Sequence, residues 1–180
     1  MDRAVILVEG KSDKAAIEAL ARRRRRDLGA EGIRVVAMGG AQAIGRFLNM
    51  YRDSTVVGLC DAGEVAEFRL GLERVGLGSP STPDEMERLG FFVCDPDLEA
   101  ELIRAIGPDA VLEIAEAQGD LEAFRTLQKQ PAWAGRSTAE QLRRWMGSGG
   151  RRKSRYPPLI IEALEPDAVP RPLRRLLDSV

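Results

Sequence analysis

Glu9 and Asp13 stand four residues apart at the point where the apolar run Ala4–Val8 stops and a helical pattern begins. A continuous apolar run of this length reads as a strand buried on both faces of a parallel sheet, which puts Glu9 at the carboxyl end, the side on which open α/β sheets place their ligands. Gly10 permits the sharp turn, and Ser12 or Asp13 can cap the helix that follows. Two carboxylates so placed are one way to hold a divalent cation; the alternative is a helix cap beside a solvated loop residue.

The construction recurs. Thr55–Cys60 is a second apolar run and releases Asp61 and Glu64; Phe91–Cys94 is a third and releases Asp95, Asp97 and Glu99. All carboxyl ends of a parallel sheet lie on one side, so these acids are expected to converge. Apposed carboxylates raise one another's pKa and destabilise the fold, an objection that a bound Mg²⁺ or Mn²⁺ removes. The chain contains no histidine. That excludes serine-histidine triads, His-ligated zinc hydrolase motifs and histidine general bases, and leaves carboxylates, lysine and metal for any hydrolytic chemistry.

The elements that must position these groups read as a βα repeat: strands at 4–8, 33–38, 55–60 and 91–94, with helices at 13–26, 41–52 and 64–75 between them. This alternation predicts an α/β fold with a four-stranded parallel sheet flanked by helices. Residues 76–83 are rich in Gly, Ser and Pro and read as a loop. Beyond Asp97 the strand signal fades, and helices are expected at 97–106, 109–118, 120–129, 137–146, 155–164 and 171–178. The division expected is an α/β core at 1–107 and a helical carboxyl-terminal part at 108–180.

Composition is that of a globular chain, 44% apolar and 31% charged. No apolar run approaches a membrane span and no signal peptide opens the sequence, so a cytoplasmic protein without membrane contact is expected. Cys60 and Cys94 each sit at a strand end, where packed thiols are expected in preference to a disulfide. The net charge of −1 hides an asymmetry: residues 1–130 hold 17 basic and 23 acidic side chains, residues 131–180 hold 10 and 5. Acids in one half and bases in the other suit a metal in one place and a polyanion in the other.

Arg22–Arg26 would circle a continuing helix completely, so the run is expected to project beyond the sheet, with a nucleic-acid contact as the sharper reading. The glycine-rich stretches 40–47 and 147–154 depart from a phosphate-binding loop and support no autonomous ATPase. Trp133, Trp145 and Tyr156 have apolar neighbours and are expected to pack the helical half.

Taken together these residues resemble a TOPRIM domain, the fold shared by topoisomerases, bacterial primases and related nucleases, and within it the OLD (overcoming lysogenization defect) family. Val8-Glu9-Gly10-Lys11-Ser12-Asp13 is similar to the OLD-type first motif, and Val36–Gly40 to the glycine-ended second strand. Leu59-Cys60-Asp61 resembles the start of the Asp-x-Asp motif, Asp97-Leu98-Glu99 the later acidic step, and Lys153–Tyr156 the lysine segment near the domain's end. The resemblance spans roughly residues 4–165, and the order of the motifs is more specific than any one of them.

It implies a Rossmann-like TOPRIM sheet with a helical carboxyl-terminal extension. It also implies a metal-dependent phosphodiester hydrolase, an endonuclease or nickase, acting on nucleic acid and expected to prefer DNA. Glu9, Asp61 and Lys153 would be catalytic, and Glu9, Asp13, Asp61, Glu64, Asp97 and Glu99 would hold one or two Mg²⁺ or Mn²⁺ ions. Two departures qualify this. Gly63 stands where the motif's second aspartate belongs, with Glu64 next to it as a candidate substitute, and this sequence lacks the ATPase domain that precedes the TOPRIM domain of OLD proteins, so the chain is expected either to act alone or to borrow a separately encoded ATPase; a homodimer is compatible with the reading. The competing expectation is a catalytically degenerate TOPRIM module that binds nucleic acid or a partner ATPase without cleaving.

Overall fold

A computed structural model describes residues 2–180. Four parallel strands, β1 (Ala4–Val8), β2 (Ile33–Ala37), β3 (Thr55–Asp61) and β4 (Phe91–Cys94), form one sheet in the order β2-β1-β3-β4. The first crossover, through α1 (Lys11–Arg23), runs from β1 to β2. The next, through α2 (Ile44–Met50), carries the chain back past β1 to β3, and α3 (Val65–Arg74) and α4 (Pro83–Arg88) lead on to β4. Right-handed crossovers that reverse direction put their helices on opposite faces.

Side-chain alternation shows both faces. Ala4, Ile6 and Val8 of β1 pack with Ile17 and Leu20 of α1, whereas Val5 and Leu7 pack with Ile44, Leu48, Phe68 and Leu72 of α2 and α3. Every residue of β1 is buried, as expected of a central strand covered on both sides. Gly71 lies inside α3 because a Cβ there would stand 2.5 Å from Ile44 Cγ2; the two helices touch at backbone distance.

The remaining helices, α5 (Leu98–Ile106), α6 (Pro108–Ala117), α7 (Leu121–Gln128), α8 (Thr138–Gly147), α9 (Gly150–Ala163) and α10 (Arg171–Asp178), gather on the α1 face. Val111, Phe124, Trp145, Tyr156, Ile160 and Leu173 share one apolar cluster with β1 and α1. Trp145 is wedged edge-on between Phe124 and Tyr156, with ring centroids 5.6 and 5.0 Å away. Cys60 and Cys94 are buried free thiols, and burial holds that of Cys60 up at about 12.

Three sequence expectations need correction. First, α1 stops at Arg23, and Arg25 adopts φ 57°, so Arg22–Arg26 never circles a helix. The run fans out over the carboxyl-terminal helices instead. Arg22 pairs with Glu162 at 3.8 Å, Arg24 with Asp178 at 2.7 Å, and Arg26 with Glu31, while Arg26 also donates to the carbonyls of Leu177 and Val180. Those carbonyls at the end of α10 have no helical donor, which is why a guanidinium is useful there.

Second, the 76–83 loop is followed by a short helix, α4, begun by a Thr82 Oγ1 that accepts from the Glu85 N–H at 3.2 Å and by Pro83 in the first turn. Thr82-Pro83-Asp84-Glu85 is a legible start signal. Third, α9 begins at Gly150, five residues before the expected 155, and passes through Pro157 and Pro158. Those two prolines offer no N–H to the carbonyls of Lys153 and Ser154, a local cost that packing of Tyr156, Ile160 and Ile161 offsets.

Candidate functional site

Strand order β2-β1-β3 places the topological switch between β1 and β3, where α1 and α2 leave toward opposite faces and open a crevice at the strands' carboxyl ends. Val8 lies opposite Leu59 and Asp61 opposite Cys94 in the ladders, so the acids following β1, β3 and β4 emerge side by side.

Each acid is held by a particular local device. The carbonyl of Glu9 accepts the N–H groups of both Gly39 and Gly40, at 3.0 and 3.3 Å, in a turn whose φ values of +80° and +134° suit glycine. This pins the backbone at Glu9 while its side chain stays half-buried. Asp13 Oδ2 folds back to accept the Gly10 N–H at 2.8 Å. Asp61 Oδ1 accepts the Leu98 N–H at 3.1 Å, which ties the end of β3 to the start of α5. Asp97 caps α5 by accepting from the Ala100 N–H at 2.9 Å, and its other oxygen accepts from Arg143 at 2.6 Å. Glu99 is 6% exposed, and its Oε1 is buried with no hydrogen-bond partner among the described residues.

The electrostatics group these residues. Burial, followed by the charges of Asp13, Asp97 and Glu99, pushes Asp61 up to about 7. Asp13 and Glu99 are also raised, chiefly by burial, and in both cases Lys153 partly offsets the shift. Asp13, Asp61, Asp97, Glu99 and Lys153 therefore share one field. Glu64 joins this field through Glu9: after burial, the charges that raise it are those of Glu9 and Glu67, and Glu9 also raises Asp13. Gly63 is exposed beside Glu64, and a Cβ there would meet nothing within 4 Å.

Among the described residues, no group of three or more Asp, Glu, Cys or His side chains is already closed around a point as a cation cage. The donor set nevertheless fits a hard divalent cation, because it is all oxygen, mutually repelling and includes the orphaned Glu99 oxygen. Asp95 takes another role: its N–H donates to Glu101 and its carbonyl accepts from Arg104, away from the shared field.

Asp61, Asp97, Glu99 and Lys153 line a cleft of about 370 Å³. Lys153 lies in the first turn of α9, exposed and in no ion pair among the described residues. The same cleft is also lined from α8 and the turn before it, by Trp133, Arg136, Glu140, Arg143 and Arg144, a group that sequence reasoning did not assemble. Its one sequence signal is the excess of bases after residue 130. Trp145 and Tyr156 pack the core as expected, whereas Trp133 both touches the core and lines this cleft.

A larger hollow of about 630 Å³ lies between α1 and the edge strand β2, but none of the six candidate carboxylates lines it. Its basic side chains are mostly neutralised, Lys14 by Glu18, Arg22 by Glu162, Arg26 by Glu31 and Arg34 by Asp2. The smaller cleft, which gathers the carboxylates, is therefore the candidate site.

Residues 2–59 match the family model for the TOPRIM domain of overcoming lysogenization defect protein-like (OLD-like) proteins. Among solved structures, the C-terminal region of the Burkholderia pseudomallei OLD protein matches with a TM-score of 0.72 at 20% identity, over 99% of this chain and 96% of that one. The corresponding region of the Xanthomonas campestris pv. campestris OLD protein, phased with platinum, matches with a TM-score of 0.74 at 24% identity, over 98% of this chain and 91% of that one. No curated protein sequence matches the chain. The match to the OLD-like TOPRIM model thus covers the first third of the chain, and the fold, the helical carboxyl-terminal half included, is similar to that of OLD C-terminal regions. Among the described residues, no helix is long and apolar enough to cross a membrane.

Proposed function

With the OLD-type TOPRIM fold as premise, we propose that this chain is a metal-dependent phosphodiester hydrolase acting on nucleic acid, with DNA as the preferred substrate. The observation that carries the reading is the convergence of Asp13, Asp61, Asp97 and Glu99 in one field, with Asp61 pushed up to about 7 beside a buried, unpartnered Glu99 oxygen. A fold that gathers these acids at its ligand-binding edge and neutralises them only in part, Asp97 by Arg143, is poised for a cation.

Glu9, Asp13, Asp61, Glu64, Asp97 and Glu99 are the residues that would hold one or two Mg²⁺ or Mn²⁺ ions. Such ions supply polarisation of the phosphate, a lowered pKa for the attacking water and charge stabilisation on the leaving oxygen, work that no histidine can do in this chain. Asp61 orients the start of α5 through the Leu98 N–H, and so keeps Asp97 and Glu99 at the cleft. Lys153, cationic and exposed on the same cleft, offsets charge that develops on the transferring phosphoryl group. The protein partners this reading admits are a separately encoded ATPase and a second copy of the chain.

A second reading, a TOPRIM module that binds nucleic acid or a partner without cutting, is favoured by two observations: Gly63 in place of an acid, and the lack of a closed cage among the described residues. The discriminating experiment is cleavage of supercoiled plasmid and of single-stranded DNA with Mg²⁺ or Mn²⁺, comparing the native chain with Glu9→Ala and Asp61→Ala. Nicking that vanishes in both variants and in chelator supports the hydrolase. A folded chain inactive with either metal supports the module, and cleavage that survives both substitutions removes the assigned site.

A further inference from the structure

We infer that Trp133 with Arg144 and Arg136, which line the same cleft as the carboxylates, forms a platform for one unpaired nucleotide of a single-stranded nucleic-acid segment. This rests on the nucleic-acid reading above and names the form of substrate that the same cleft accepts.

Trp133 sits in the turn between α7 and α8 and is held there firmly. Its N–H donates to the Gln130 carbonyl at 2.9 Å, and its own carbonyl accepts from the side chain of Gln141 at 2.8 Å. Gln141 is 5% exposed and is itself fixed by Gln128, whose amide donates to Gln141 Oε1 at 2.8 Å. A buried glutamine whose amide is committed to positioning one turn residue makes a rigid mount. What it mounts is an indole that is not fully buried and whose remaining surface lines the cleft. The chain's other tryptophan, Trp145, is closed in the core at 1% exposure.

The guanidinium of Arg144 lies 6.0 Å from the Trp133 ring centroid and has no carboxylate in ion-pair reach among the described residues. An arginine over an indole offers a flat cationic surface for a base together with donors for a phosphate. Arg136 reaches only Glu140, at 3.4 Å on the exposed surface, a pair weak enough to yield to a phosphate. Arg143 differs: Asp97 engages it at 2.6 Å, so it is not counted in the platform.

The cleft's size and chemistry select the occupant. About 370 Å³ admits a nucleotide-sized group and not a duplex. An aromatic face is useful only to a base that is neither paired nor stacked in a helix, whereas duplex binding relies on backbone contacts over a wider surface. A base on the Trp133 platform would bring its backbone beside Asp61, Glu99 and Lys153, which line the same cleft.

The test uses intrinsic fluorescence of the full chain, titrated in Mg²⁺ with a single-stranded phosphorothioate oligonucleotide that resists cleavage. Quenching of the native emission is expected, because Trp133 is the accessible tryptophan. Trp133→Phe should lose the quenching yet keep affinity within about threefold, since a phenyl ring still stacks. Trp133→Ala and Arg144→Ala should each weaken binding by about fivefold or more. Arg144→Ala should also flatten the dependence of log affinity on log salt by about 0.7.

Binding without quenching, unchanged affinity in both alanine variants, or no binding at all overturns the platform. The failure modes stay separable by adding the plasmid assay. Variants that bind single strands normally while the native chain cuts would strike only the platform. Quenching in a chain that never cuts would strike the hydrolase and leave the platform standing.

Discussion

Arg143 Nε donates to Asp97 Oδ2 across 2.6 Å and ties α8 to the residue that caps α5. Both oxygens of Asp97 are thereby engaged, one by the Ala100 N–H and one by Arg143. A cation recruiting Asp97 competes with a guanidinium for its charge. Arg143→Ala should therefore lower stability in chelator by about 0.2–1 kcal/mol, the range of an exposed ion pair, and raise the apparent affinity for Mg²⁺ several-fold. Thermal melts across a Mg²⁺ series check both halves, and a fall in Mg²⁺ affinity would show that Arg143 supports the cation site.

The second expectation concerns pH. The folded pKa of Asp61, about 7, lies above its unfolded value of about 3.9, so the folded state binds this proton more tightly than the unfolded state does. The stability from this group is complete below pH 4 and is lost as pH rises through 7. In chelator, melting temperature should fall between pH 5 and pH 7.5 beyond what Asp61→Asn shows, and level off above. Mg²⁺ competes with the proton, so its stabilising effect should grow over the same interval. Identical profiles for the native chain and Asp61→Asn would refute the shift.

Gly63 offers a gain-of-function test. A Cβ at this exposed position meets nothing within 4 Å, so an aspartate can be added without strain in the neighbouring structure. Gly63→Asp should raise divalent-cation affinity by about threefold to tenfold through one more oxygen donor, with cleavage rising in parallel. Glu64, which interacts with Glu9 and Glu67, should lose part of its importance in that background, so Glu64→Gln should cost less activity in Gly63→Asp than in the native chain. Calorimetry with Mn²⁺ measures the affinity directly; no change would mean that position 63 faces away from the cation.

Lys153 is expected to act on the reaction more than on binding. Lys153→Ala should reduce turnover by about 10²-fold, as removal of a single charge-stabilising donor does elsewhere, while DNA affinity changes by less than about threefold. Single-turnover cleavage compared with filter binding separates the two. Equal losses in both would make Lys153 a phosphate-positioning residue.

The four strands, the placement of Glu9, Asp61, Asp97 and Glu99 at their carboxyl ends, and the Cys60 and Cys94 burial were all legible in the chain's local patterns. Apolar runs, capping residues and glycine turns act through backbone geometry and neighbouring hydrogen bonds, so they are written within a few residues of the element they specify. Even α4 was written locally, in Thr82-Pro83-Asp84-Glu85. The contacts that local reading could not supply are those set by tertiary packing. Arg26 grips carbonyls about 150 residues away at the end of α10, Arg143 takes Asp97 across 46 residues, and Arg144 meets Trp133 at the cleft. Only packing of α8, α9 and α10 onto the α1 face decides which charge meets which. An arginine's partner depends on where a distant helix comes to rest, and residue spacing carries no record of that position.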